Sequence, residues 1–526
     1  MLYQKGYATV LTLVLFSALG LSLFAMFNSG QIVTHKLKLQ NAVDAATYSS
    51  VNVVAREMNY MAYTNRAMVS NQLAIGQMVG LYSWHRKTKD TVDTLDTAAT
   101  FLTAFPPTSA IGASLQNATS LIAKAFKDFD PFLKNTIKLG ISFEKPAITA
   151  LSVSQEGVHL ATSAILLNTF DVVLQDNNDA KGDSKNKIEY SALIPAKLFQ
   201  SIESKFIDRV SSPTTNFNGV GGGLADYDAF ASIIKQTDDG FVHNRNNMWL
   251  DLYVPPGLIN VFVGLIDPGK AWRSIDGEVR IHDNGGSDFD RKVDGSSYNW
   301  EWSAMDTVSL WVKYKYLSPK WWDPFRTKTK DREWIPIGGG AAHASKKPTS
   351  SDDIYDSYYD PPSLWNWNQS VKRGKWGDAG YNQKSAKNAA SNDSNKKLGA
   401  TSQLHSFYKF KKKNQEIIGP EFIALVSKDQ SGVRTRNQVI ENQTGNPVPN
   451  NGSFNIEKEG NLADGNNILA IAKAQVYFSR SPDSGFGRDD SKQEVGNLFN
   501  PYWQVRLTKY SSAEIQAAKL VLKNAP

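Results

Sequence analysis

The sequence predicts an α+β protein: one apolar amino-terminal helix that continues into a long helical stalk or bundle, followed by a β-rich head. Three observations carry this. Tyr7 to Phe27 hold no charged residue. His35 to about Tyr82 contain no proline, their first glycine is Gly76, and their apolar residues recur at helical spacing. Beyond residue 212 the period shifts toward two, most clearly over Thr307 to Tyr316.

The uncharged stretch includes Leu11, Leu13, Leu15, Phe16, Leu19, Leu21, Leu23 and Phe24. As a helix it spans roughly 31 Å, about the thickness of a bilayer's hydrocarbon core. A cleaved secretory signal has a shorter apolar run and a small-residue cleavage site. The expectation is therefore an uncleaved single-pass anchor, residues 1–34, in contact with lipid through Tyr7 to Phe27. Lys5 lies on one side of it and Lys36 and Lys38 on the other, so charge does not orient the span. A short amino end with the bulk outside the cytoplasm is the expected topology.

The next segment carries one apolar stripe. Leu39, Val43, Ala46, Val54, Met58, Met61, Met68, Ile75 and Val79 follow one another in steps of 3, 4, 7 or 8 residues, one or two helical turns each. Ala42, Ala45, Ala46, Ser49 and Ser50 make its first part small, so backbones can approach closely there. Such a face needs a partner, from its own chain or another subunit. Leu39, Val43, Ala46, Val54, Met58 and Met61 are the candidate interface residues. Pro106, Pro107 and Pro131 are expected to interrupt the helical pattern. It resumes over Ser114 to Phe129 and Ala147 to Leu174, and a further short helix is expected over Ile194 to Val210. Residues 35–212 thus read as a helical stalk or bundle, with a polar linker from Asp176 to Lys187.

The head divides into 213–344, a Ser/Asp/Asn/Lys-rich loop or linker at 345–400, and 401–526. Strands are expected at Met248–Val254, Val261–Ile266, Glu278–His282, Thr307–Tyr316, Glu421–Lys428, Ile468–Arg480 and Tyr502–Leu507. Asp228 to Gln236 reads as a turn or two of helix. Ser511-Ser-Ala-Glu514 is a capping-box pattern opening a last helix to about Lys523.

Composition excludes several functions. There are no cysteines, which removes disulfide scaffolds, thiolate metal sites and thiol nucleophiles. The formal charge of +7 on 526 residues is too mild to argue for nucleic acid. The segments Tyr314–Trp322 and Phe407–Lys413 alternate rings and bases, as half-buried strands do. Gly219-Val-Gly-Gly-Gly223 lacks the Lys-Ser/Thr of a phosphate loop and reads as a flexible turn, as does Ile337-Gly-Gly-Gly340. Asp290 to Glu301 has the spacing of a calcium loop, but Lys292 stands at the third ligand position. His35, His85, His159, His243, His282, His343 and His405 are scattered, with no pair at ligand spacing along a helix. No catalytic, cofactor-binding or metal residues are expected. The convergent site the head could most readily assemble would use His282, Asp283 or Asp306.

Lys5-Gly6 before an apolar helix, followed by Gln40-Asn-Ala-Val-Asp-Ala-Ala46, resembles the TadE/TadG-like proteins of the Tad/Flp pilus system. The resemblance implies a non-enzymatic, structural component of a type IV-like pilus assembly system, held in the bacterial inner membrane with a large periplasmic region and no cofactor. Its implied partners are other pilus or envelope subunits, met through the helical stalk, with homo-oligomers included. Processed relatives carry a glutamate five residues after a cleavage glycine, where this chain has Leu11. The Asp-x-Ser-x-Ser metal pentad of some TadG proteins is absent. Two alternatives stand beside this reading: a minor pilin or tip adhesin within a fibre, and a membrane-anchored periplasmic enzyme or glycan-binding protein using the aromatic head.

Overall fold

The structure, a computed structural model, describes residues 5–104, 109–177, 188–190, 203–210, 223–243, 245, 247–294, 297–344, 404–411, 418–429, 463–464, 467–480 and 494–516. Of the expected linker Asp176–Lys187, the first two residues belong to helix and 178–187 lie outside these residues, as do 219–222 of the glycine-rich run, 194–202 of the expected helix, the polar loop at 345–400 and the last helix beyond 516. Two long helices come first, α1 (Lys5–Thr103) and α2 (Ser109–Asn177). The chain divides into two compact units. The first comprises Met1–Asn65, Ser154–Arg209 and Tyr408–Pro526; the second comprises Arg66–Val153 and Val210–Phe407. Each long helix contributes one part to each unit.

The amino-terminal part of α1 is largely unburied among the described residues. Its most apolar 18-residue window is 0% buried. Leu13 and Phe16, at 70% and 77% exposure, would face water at a cost unless lipid covered them. Helix α2 also contains an apolar window, of which 28% is buried, and its stripe serves the cores of the two units.

In the first unit the buried face of α1 is the predicted stripe. Leu39, Val43, Ala46, Val54, Met58 and Met61 are each 0–1% exposed and share one core with Leu166, Phe170 and Leu174 of α2. The other wall of that core is an antiparallel sheet. Its strands are β1 (Ile188–Tyr190), β8 (Ile418–Asp429), β10 (Asn467–Phe478) and β11 (Trp503–Leu507), in that order, with β9 (Ala463–Asp464) on β10. Alternation along β8 and β10 sends Phe422, Ala424, Val426, Ala470, Ala472 and Ala474 to the helices. The small residues of helix and sheet thus meet in one cluster, which allows the close approach that the alanines of α1 suggest. The opposite face carries Leu425 and Ile471 with Ile515 on them. Ile515 sits just inside the last helix, whose capping box is formed: Ser511 N donates to Glu514 Oε2 at 2.6 Å, and Glu514 N donates to Ser511 Oγ at 3.3 Å.

Residues 207–210, expected as helix, form strand β2 (Ile207–Val210) beside β7 (Phe407–Phe410). Ile207 and Val210 are buried and Asp208 and Arg209 half-buried between them, a spacing of three that reads as readily as one helical turn.

The second unit holds a four-stranded antiparallel sheet in the order β3 (Asn247–Val254), β4 (Ser274–Asp294), β5 (Ser297–Leu317), β6 (Thr327–Ala344). Helices α3 (Gly223–Gln236), α4 (Gly240–His243), α5 (Ile259–Ile266) and α6 (Pro268–Ala271) accompany it. Val308, Leu310, Val312 and Tyr314 are buried on one face of β5, as the alternation predicts. Three expectations are corrected here. Val261–Ile266 lies in α5, not a strand; a short continuous apolar run fits either, and Ile259 and Val263, four apart, are the pair buried against the sheet. Pro131 does not end the helix: α2 runs through it and through Pro146. Each proline removes one ladder bond, while Leu133, Ile137, Ile141 and Ile148 keep a buried stripe continuous across both. Ile337–Gly340 is not a turn but part of β6. Its glycines form a smooth strip against α1: a Cβ on Gly340 would lie 2.2 Å from Ser83 O, and one on Gly338 would lie 2.1 Å from Thr91 Oγ1.

Candidate functional site

Helices α1 and α2 carry polar side chains inside their buried faces, and these do specific work. In the first unit, Asn59 treats β11 as a neighbouring strand would. Its Nδ2 donates to Trp503 O at 2.9 Å, and its Oδ1 accepts from Trp503 N at 2.9 Å. One turn and a half later, Asn65 donates to Tyr408 O at 2.9 Å and to Leu498 O at 2.7 Å. Gln155 of α2 completes that network, donating to Asn65 Oδ1 at 2.7 Å and Thr64 Oγ1 at 2.6 Å. These amides satisfy backbone groups that would otherwise be buried without partners.

Glu57 sits on the same face, one step before Met58, and is 2% exposed. Four residues beyond Gln155, a helical turn, His159 of α2 faces it: His159 Nδ1 lies 2.7 Å from Glu57 Oε1. Glu203, just before β2, brings a second carboxyl, with Oε2 3.9 Å from His159 Nδ1. One ligand atom from each of the three lies within 4.8 Å of the others. Among the described residues, Glu57 Oε2 and both Glu203 oxygens are buried without a hydrogen-bond partner beyond each other's carboxyl. Burial drives the Glu57 carboxyl up to about 7. Burial, then the neighbouring Glu57 charge, drives Glu203 up to about 9. The Tyr408 ring lies against the imidazole, with centroids 5.0 Å apart. Glu57 also lines a cleft of about 600 Å³, together with Arg56, Tyr60, Tyr63, Val158 and Thr162. Two carboxyls and an imidazole so placed can share protons or take up a cation.

In the second unit, the acids expected to be available for chemistry are committed elsewhere. Asp283 Oδ2 accepts from Lys87 Nζ at 2.6 Å, and both side chains are excluded from water. Asp306 takes a two-pronged contact from Arg245: Nε to Oδ1 at 2.7 Å and Nη2 to Oδ2 at 3.0 Å. Gly285, the cross-strand partner of Asp306, leaves room for that carboxylate; a Cβ there would lie 1.9 Å from Asp306 Oδ1. The side chain of His282 lies outside the described residues. Asp290 and Glu301 of the calcium-like spacing are directly opposed in the β4–β5 ladder, strand facing strand rather than a loop wrapped round an ion.

The six candidate interface residues lie together in the first unit's core, facing α2 and the sheet of their own chain. Sequence reasoning missed the Glu57–His159–Glu203 cluster because its members come from three separate segments, Glu57 and His159 being 102 residues apart. One signal was present: Glu57 interrupts the apolar stripe between Val54 and Met61, and a charged residue on a buried face requires a partner.

Residues 6–53 match the family described as "Putative Flp pilus-assembly TadE/G-like". This stretch covers the apolar span and the first part of the buried stripe, a small part of the 526-residue chain. It supports the resemblance drawn from Lys5-Gly6 and Gln40–Ala46 and a pilus-related role. No curated protein and no solved structure matches the chain.

Proposed function

We propose that this chain is a non-enzymatic structural component of a Tad/Flp pilus assembly system, anchored in the bacterial inner membrane with its bulk in the periplasm. The observation that carries this is the family match over residues 6–53. Within that stretch, an unburied apolar helix runs directly into residues that build a folded core. The anchor fixes the chain to lipid, and the folded units present surface to other pilus or envelope subunits or to a second copy. The six residues of the stripe hold the helix to its own sheet, so partners would meet outward faces of α1 and α2, where Tyr63, Leu160 and Ile165 are exposed.

Three measurements test this. Protease added to spheroplasts should degrade the fragment beyond residue 35. Full protection behind a verified intact inner membrane reverses the orientation. Blotting membrane and sheared-pilus fractions should place the chain in the membrane; recovery in the sheared fibre supports the minor-pilin alternative. Deleting the chain should abolish piliation, and wild-type piliation in the deletion strain removes the assembly role.

A further inference from the structure

We propose that Glu57, His159 and Glu203 bind one divalent transition-metal ion, with zinc the ion their donor set fits. This goes beyond the envelope role and does not depend on it.

The donors suit the ion. A neutral imidazole with two carboxylates is a borderline nitrogen–oxygen set that zinc accepts, whereas calcium and magnesium prefer oxygen alone. Once they release their protons, as metal ligands must, the two carboxyls carry two negative charges, which a divalent ion neutralises. Zinc bonds of about 2.0–2.2 Å at tetrahedral angles separate ligand atoms by about 3.3–3.6 Å. The contacts to His159 Nδ1, 2.7 Å from Glu57 and 3.9 Å from Glu203, bracket that spacing.

The surroundings leave the carboxyls short of partners. Glu203 is 1% exposed, and among the described residues neither of its oxygens, nor Glu57 Oε2, has a hydrogen-bond partner beyond the other carboxyl of this pair. Among the described residues, the one basic side chain in ion-pair range of either carboxyl is the His159 imidazole. Arg209, the nearest base on β2, is taken by Glu156. A buried carboxylate without a cation or donor is costly. Glu57 also lines the cleft, which gives an ion a route from solvent. Bound there, the ion would tie α1, α2 and the segment before β2 together. It would act as a cross-link in a chain that has no cysteines for disulfides.

The test uses the full-length chain purified in detergent, stripped with EDTA and dialysed against buffered zinc at pH 7.5. The expected result is one zinc per chain by elemental analysis and a rise in Tm of about 5 °C or more at saturating zinc. Glu203→Gln and His159→Gln should weaken zinc binding about tenfold or more. Asp171→Asn, an acid of the same helix outside the cluster, should leave it unchanged. Because the ligand variants could fail to fold, zinc-edge X-ray absorption on the wild-type chain supplies an independent reading: one imidazole and otherwise oxygen donors. The proposal is overturned by the absence of stoichiometric zinc, by full retention in a folded Glu203→Gln chain, or by a spectrum showing two or more imidazoles. A pair of carboxyls that simply share protons would give the first of these results.

Discussion

Lys87 of α1 and Asp283 of β4 form an ion pair of 2.6 Å with side chains 0% and 3% exposed. The pair couples helix to sheet within the second unit, yet among the described residues one of its acceptors, Asp283 Oδ1, has no partner. Burial outweighs the attraction of Lys87 and lifts the Asp283 carboxyl to about 6. The sign follows. A carboxyl raised above its unfolded value contributes its full stability below about pH 4, and loses it as pH rises through about 6.

Lys87→Met should therefore be pH-dependent. Near pH 8 it leaves a buried, uncompensated carboxylate and should cost about 3–5 kcal/mol. Near pH 5 the carboxyl protonates and most of that loss should vanish. Lys87→Met with Asp283→Leu should recover stability at both pH values, since an apolar pair of similar volume replaces two buried charges. Thermal melts of the detergent-solubilised chain, followed by tryptophan fluorescence, would check this. Equal losses at the two pH values would refute the raised Asp283 titration.

Asn59→Leu should destabilise the first unit more than its lost volume suggests. It strands Trp503 N and O together, at about 1–3 kcal/mol for each unsatisfied group. Asn71→Leu is the comparison, because among the described residues Asn71 donates within its own helix, to Ala67 O at 2.8 Å. Hydrogen exchange should show the Trp503 amide losing protection in the first variant alone.

What the sequence disclosed follows the range of each interaction. The stripe from Leu39 to Met61 and the alternation from Val308 to Tyr314 are local periods, and both are buried as read. The Ser511–Glu514 box is a four-residue pattern and is formed. Pro131 misled because the cost of a proline is local, while the packing of Leu133 and Ile137 that outweighs it is tertiary. Gly338 and Gly340 misled for the same reason: glycine signals a turn unless a helix 250 residues earlier in the chain needs the space. The Glu57–His159–Glu203 cluster needed the fold itself, since no window of sequence contains all three.

Ala46→Lys should collapse the first unit rather than merely weaken an encounter with another subunit. Ala46 is 0% exposed and lies in the core that α1 shares with the sheet. A lysine there needs both volume and a counter-charge, and the cluster around it is apolar. Lys38→Glu, at an exposed position on the same helix, should stay within about 0.5 kcal/mol of wild type. Limited proteolysis separates the outcomes: Ala46→Lys should expose cleavage sites in the strands, and Lys38→Glu should not. If Ala46→Lys folds normally and only piliation fails, the stripe acts between subunits.

Gly340→Ala tests the contact between α1 and β6. The new methyl would lie 2.2 Å from Ser83 O and 2.4 Å from Lys87 N, and backbone atoms of a long helix cannot turn aside as a side chain would. Helix and strand must separate, weakening the bonds from Ser83 Oγ to Gly340 O and from Gly339 N to Asp90 Oδ2. Overpacking of this kind costs about 1–3 kcal/mol, and the lost hydrogen bonds add to it. Gly157→Ala gives the opposite expectation. That glycine lies inside α2 with open space where its Cβ would go, so alanine should stabilise by about 0.5–1 kcal/mol. Opposite shifts in Tm for the two glycine-to-alanine changes are the expected outcome. A neutral Gly340→Ala would mean that α1 does not rest directly on the strand.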